Sequence, residues 1–146
     1  MSISSSDWRS IEQAPRLRVA VERRAKSFGE LAGEFASTFG LMPDAWQQLV
    51  LDDWLAASAK DEWKHPVAGL SVPRQNGKNA LLEMRELFGM VLLGETVIHS
   101  AHEVKSAQAH YRRFKEFFGK KADDEAARYP ELNAMVEQVR NVNGQE

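Results

Sequence analysis

The sequence has no cysteine, which excludes disulfides and thiolate metal centres. No apolar run approaches the roughly 20 residues that span a bilayer, so no membrane association is expected. The first residues, Met1 to Ser6, are polar and lack the basic and apolar regions of a secretory leader. A surplus of charge is missing too. The formal net charge of −2 gives no overall pull toward nucleic acid, so any such contact needs a local basic patch. There are no internal repeats and no low-complexity tracts. These absences lead to the expectation of a soluble, intracellular protein. Its 146 residues, 43% hydrophobic and 27% charged, suit one modest globular domain or part of a larger one.

Residues 1–15 are polar and Ser-rich and read as a loose arm ending at Pro15. Arg16, Arg18, Arg23, Arg24 and Lys26 follow, broken only by Glu22. Such a run is either a solvated helix face or a contact for DNA or a partner. Phe28, Leu31, Phe35 and Phe39 recur at helical spacing, and Gly40 ends the pattern. Pro43 and Asp44 open a second helix, which buries Trp46, Leu49, Val50 and Trp54 and ends near Ser58. After a charged loop from Lys60 to His65, the short apolar run 67–72 suits a buried strand. Pro73 to Gly77 predicts a turn. A helix follows from Asn79 to Leu93, with Leu82, Met84, Leu87 and Val91 inside and Gly94 closing it. Thr96 to Ser100 predicts a second strand. Glu103 to Phe118 predicts another helix, with Val104, Ala107, Tyr111, Phe114 and Phe118 in phase. A helix over Pro130 to Val139 and a strand over Val139 to Glu146, turning at Asn143-Gly144, complete the reading. Strand, turn, helix, strand, helix is the βαβ start of a parallel sheet. The expected class is therefore α/β. Residues 1–40 form an N-terminal arm and helices, and residues 41–146 form the first part of the α/β domain.

The chemistry concentrates in Val72-Pro73-Arg74-Gln75-Asn76-Gly77-Lys78-Asn79. A phosphate-binding loop needs backbone amides turned inward, a glycine where the chain meets phosphate, and a lysine reaching the terminal phosphates. It also needs an oxygen ligand for magnesium at the start of a helix, whose dipole favours anions. Gly77 and Lys78 stand in the glycine and lysine positions, between a predicted strand and a predicted helix. Asn79 offers an amide oxygen where Ser or Thr is usual. Val72 stands where the standard pattern begins with glycine. On spacing alone, a Gly-Lys turn whose Arg74 and Lys78 face solvent is an equal reading.

This run, continued by Ala80-Leu81-Leu82-Glu83, resembles the deviant Walker A loop of phage terminase large subunits, the ATPases that drive DNA into capsids. That family commonly carries Arg-Gln-x-Gly-Lys without the first glycine. Leu41 to Leu51 resembles its Pro-x-x-Trp-Gln stretch, and Thr96 to Phe114 its second strand and following helix, so the resemblance covers about residues 28–146. It implies an incomplete P-loop NTPase that binds ATP and Mg2+. The cofactor-binding residues implied are Gln47, Arg74, Gln75, Asn76, Gly77, Lys78 and Asn79, with Lys78 and Arg74 catalytic and Asn79 the magnesium ligand. Arg74 suits phosphate oxygens because its guanidinium binds them as a fork. Gln47 is the implied adenine contact, with Gln48 as its alternate and Trp46 either packed nearby or simply core. The partners implied are double-stranded DNA, the capsid portal, the small terminase subunit and the C-terminal remainder of the same ATPase. The setting implied is the cytoplasm of an infected bacterial host.

A complete motor also needs a Walker B strand, four apolar residues ending in Asp-Glu. Asp52-Asp53 lies upstream of the loop, and Asp123-Asp124-Glu125 has no apolar strand before it. The family's coupling motif and acidic nuclease centre have no counterpart either. The expectation is a chain that neither hydrolyses ATP rapidly nor cuts DNA by itself. His99 and His102 lack a third ligand at convincing spacing, which argues against a metal site, and His102 near DNA or nucleotide is weighed against an inert surface histidine. A DNA- or partner-binding fragment with a relic phosphate loop is the alternative. An unrelated P-loop kinase or helicase piece fits the missing first glycine and the Trp-Gln stretch less well.

Overall fold

The computed structural model describes residues 14–20 and 26–136. Arg23, Arg24 and the expected strand over 139–146 lie outside the described residues, as does the expected helix beyond Val136. The chain forms two compact units, Met1–Val97 and Ile98–Glu146.

Among its described residues, the first unit is built on three helices and one short antiparallel pair. β1 (Lys26–Ser27) pairs with β2 (Ala56–Ala57), matching Lys26 to Ala57 and Ser27 to Ala56. α1 (Gly29–Thr38), α2 (Ala45–Trp54) and α3 (Lys78–Leu92) pack around Ala32, Ala36, Trp46, Leu51, Leu55, Leu81, Met84 and Phe88. The aromatic spacing that predicts α1 marks its length but not its innermost face. Gly29, Ala32, Gly33 and Ala36 are buried, as is Phe39 at the C-cap, whereas Leu31 is exposed and Phe28 and Phe35 flank the core. The reason is the close approach of α2. A Cβ on Gly29 would lie 2.4 Å from the Asp52 backbone nitrogen and 2.5 Å from its Cα. Two hydrogen bonds fix that joint: the Ser27 hydroxyl donates to the Asp52 carbonyl (2.7 Å) and accepts from the Gly29 amide (3.1 Å).

The basic stretch is not a helix over residues 14–20. The Arg18 guanidinium instead grips Asp53 with two hydrogen bonds, of 2.8 and 2.6 Å. That hydrogen bonding, with the nearby charges of Asp53 and Asp52, raises the Arg18 pKa against the opposing effect of burial. Lys26 forms an ion pair with Asp61.

The expected strands at 67–72 and 96–100 join no ladder among the described residues, and the β1–β2 pair is the one sheet there. A run becomes a strand only when a neighbour supplies the opposite donors and acceptors. Leu70 and Val72 rest partly buried against the helical core, while Val67 is 84% exposed. The second expected strand straddles the boundary between the two units. α1 and α2 lie on opposite sides of the expected 40/41 division and pack together within the first unit. No described helix is long and apolar enough to cross a membrane.

In the second unit, α4 (Val104–Phe118) and the short α5 (Pro130–Asn133) are joined by a loop held by Asn133. The Asn133 amide donates to the carbonyls of Phe118 (2.7 Å) and Lys121 (2.8 Å), and its oxygen accepts from the Asp124 amide (2.8 Å). Asp124 in turn accepts from the amides of Lys120 and Ala126, which lowers its carboxyl pKa. Along α4 the buried residues are His110 and Phe117, whereas Val104 and Tyr111 of the expected stripe are exposed.

Candidate functional site

The loop 73–77 ends at the N-terminus of α3. Gln75 has φ 61° and Gly77 φ 74°, both left-handed, while Asn76 between them does not. Alternation of φ sign at successive residues is a pattern found in anion-binding nests. For Gln75 the left-handed conformation carries a steric cost that glycine does not bear. Lys78 is the first residue of α3, and the first bond into the helix runs from the Leu81 amide to the Gly77 carbonyl (3.2 Å). The amides of Lys78, Asn79 and Ala80 precede that bond, so they sit at the positive end of a 15-residue helix. Arg74, Gln75, Asn76, Gly77, Lys78 and Asn79 are all exposed. Two cations, three amide side chains and the helix N-terminus thus share one solvent-facing turn.

Gln47 reaches this loop from α2. It is 3% exposed, and both ends of its side-chain amide are engaged within the protein. Its oxygen accepts from the Asp44 amide (2.8 Å), closing a capping box at the start of α2. Its nitrogen donates to the Gly77 carbonyl (3.0 Å). A Cβ on Gly77 would lie 2.8 Å from that nitrogen, so a larger residue here would displace the Gln47 amide as well as strain the left-handed backbone.

The other candidates fall elsewhere. Trp46 is buried in the helical core. Gln48 turns away to donate to Asp52 (3.0 Å). His102 is exposed beside Glu103, at 3.9 Å. The His99 ring stacks on His110, with centroids 3.6 Å apart, in an arrangement that the pairing of His99 with His102 did not foresee. The sequence reading also missed the Arg18–Asp53 pair, whose members are 35 positions apart, and the complete burial of Glu83 in α3. A polar residue at a helical position carries no local sign of which way it faces.

Family models, curated proteins and solved structures yield no match.

Proposed function

We propose that this chain is the ATP-binding N-terminal portion of a viral large terminase subunit, the machine that packages double-stranded DNA into a capsid. The observation that carries the reading is the left-handed turn at Gln75 and Gly77, leading into α3 with Arg74, Lys78 and Asn79 exposed around it. In this reading the amides after Gly77 cradle the β- and γ-phosphates, and Lys78 reaches them as a point charge. Arg74 binds phosphate oxygens from the other side of the turn, and Asn79 supplies an oxygen to Mg2+. Gln75 and Asn76 shape the turn and present their amides to the same anion. The C-terminal remainder of the ATPase supplies the residues that activate water. The capsid portal and the small terminase subunit complete the assembly in the cytoplasm of the infected bacterium.

The alternative, a DNA- or partner-binding fragment with a relic loop, draws on the basic stretch. Two of its cations are already committed, Arg18 to Asp53 and Lys26 to Asp61, which favours the nucleotide reading.

Calorimetric titration of the chain with ATP and Mg2+ tests it. Lys78→Ala is expected to weaken binding at least about tenfold while leaving the unfolding midpoint unchanged, because Lys78 is exposed. Equal affinity in both proteins would remove the reading. DNA binding with a steep salt dependence and indifferent to Lys78 would establish the alternative.

A further inference from the structure

We infer that Gln47 is a positioning residue for the phosphate loop and makes no contact with the nucleobase. The inference rests on reading 72–79 as a phosphate loop, and it changes the role that the terminase resemblance implies for this glutamine.

A glutamine amide recognises adenine by presenting a donor and an acceptor side by side to the base edge. In Gln47 the acceptor faces the Asp44 amide at 2.8 Å and the donor faces the Gly77 carbonyl at 3.0 Å, with only 3% of the residue exposed. The Gln47 amide keeps a second N–H and a second lone pair, but both are buried with the rest of the side chain and are not offered to a base where they stand. Turning the side chain outward would break both bonds. It would open the capping box of α2 and take from the Gly77 carbonyl one of its two donors, leaving the Leu81 amide. Each such loss costs about fivefold, the worth of one neutral hydrogen bond and comparable to what a base contact returns.

The same geometry gives Gln47 a task. Gly77 is the hinge between the loop and α3, held at φ 74°. The Gln47 amide ties its carbonyl to the first turn of α2, and the Trp46 ring edge lies 3.8 Å from the position a Cβ would take. The starts of α2 and α3 are thereby joined through one side chain. The direction of the amides that follow Gly77 depends on that joint. Loss of the Gln47–Gly77 bond should therefore weaken any ligand held by those amides, whether or not it carries a base.

The test compares ATP with inorganic tripolyphosphate, each with Mg2+, on the wild-type chain and on Gln47→Met, Asp44→Ala and Lys78→Ala. Methionine keeps the length and shape of glutamine and removes both bonds. Gln47→Met is expected to weaken ATP and tripolyphosphate by the same factor, about fivefold, the worth of one neutral hydrogen bond. Asp44→Ala removes the other half of the capping box without touching Gly77. It should lower the unfolding midpoint yet leave both affinities within about twofold. If Gln47→Met does not fold, Gln47→Glu serves instead: it keeps an acceptor for the Asp44 amide and loses the donor to Gly77, and because its added charge repels both ligands alike, a loss larger for ATP than for tripolyphosphate still overturns the inference.

A loss confined to ATP would overturn the inference by showing a base contact. An Asp44→Ala chain that loses as much affinity as Gln47→Met would overturn it by showing that Gln47 acts only through α2 stability. Failure of the phosphate-loop reading itself looks different: the wild-type chain binds neither ligand, or Lys78→Ala binds both undiminished.

Discussion

The seam between α1 and α2 and the run 67–72 are both made of small and apolar residues, and they meet opposite fates. Ala32 and Ala36 in the seam are fully buried, while Val67 stands in solvent and only Leu70 and Val72 lean on the core. The difference lies in the partner. The seam has one whose shape fits, down to a glycine against the Asp52 backbone. In the run, Leu70 and Val72 are half-buried with Ser71 exposed between them, and its backbone joins no ladder among the described residues. Apolar composition makes burial favourable, but complementary surface decides whether it happens.

The sharpest way to break this comparison is to spoil the fit of the seam. Gly29→Ala would place a methyl group 2.4 Å from the Asp52 nitrogen, within an α2 backbone that cannot yield as a flexible side chain does. The expected loss is about 3 kcal/mol, the upper range for overpacking, read as a fall in the urea midpoint at constant slope. A change below about 0.5 kcal/mol would mean that the two helices separate freely. The seam would then be no tighter than the run.

A smaller effect is expected at the tie between the arm and α2. Arg18 and Asp53 have side chains 11% and 17% exposed, which sets them apart from a surface ion pair. Arg18→Ala removes two charge-assisted hydrogen bonds and leaves a largely buried carboxylate. The expected cost is about 2 kcal/mol. Arg18 also lines the groove that Val67 and Leu70 share with α2. The methyl chemical shifts of Val67 and Leu70 should therefore move more in Arg18→Ala than those of Ala32 and Ala36 in α1. Equal movement would show that the arm supports the whole unit and not this side of it.

Much of the helical framework was legible in the sequence. Apolar periodicity and the glycines at 40, 94 and 119 bracket α1, α3 and α4 to within a residue or two. What escaped was the information held by distant partners. The pairing of Lys26 with Ala57 and the grip of Arg18 on Asp53 join positions 31 and 35 apart, and nothing local announces them. The innermost face of α1 escaped for a related reason. Large residues mark a buried stripe only when the neighbouring helix stays at ordinary distance, and here Gly29 and Gly33 bring it closer. At the loop, residue types pointed to Gly77 and Lys78. The left-handed backbone of Gln75 and the two bonds of Gln47 could be seen only in three dimensions.

The smallest expected effect has the opposite sign, and it sharpens the comparison from the exposed side. Gly69 lies within the run, its φ is outside the left-handed region, and a Cβ there would meet nothing within 4 Å. Alanine at this position loses no contact and strains no bond. It narrows the conformations open to the unfolded chain, so Gly69→Ala is expected to stabilise the protein by about 0.5 kcal/mol. The same substitution at Gly29 is expected to destabilise it several times as much, so the pair measures partner fit with the chemistry held constant. A clear fall in the urea midpoint for Gly69→Ala would show that the run packs against a surface in solution. Its apolar side chains would then have the partner that the seam already has.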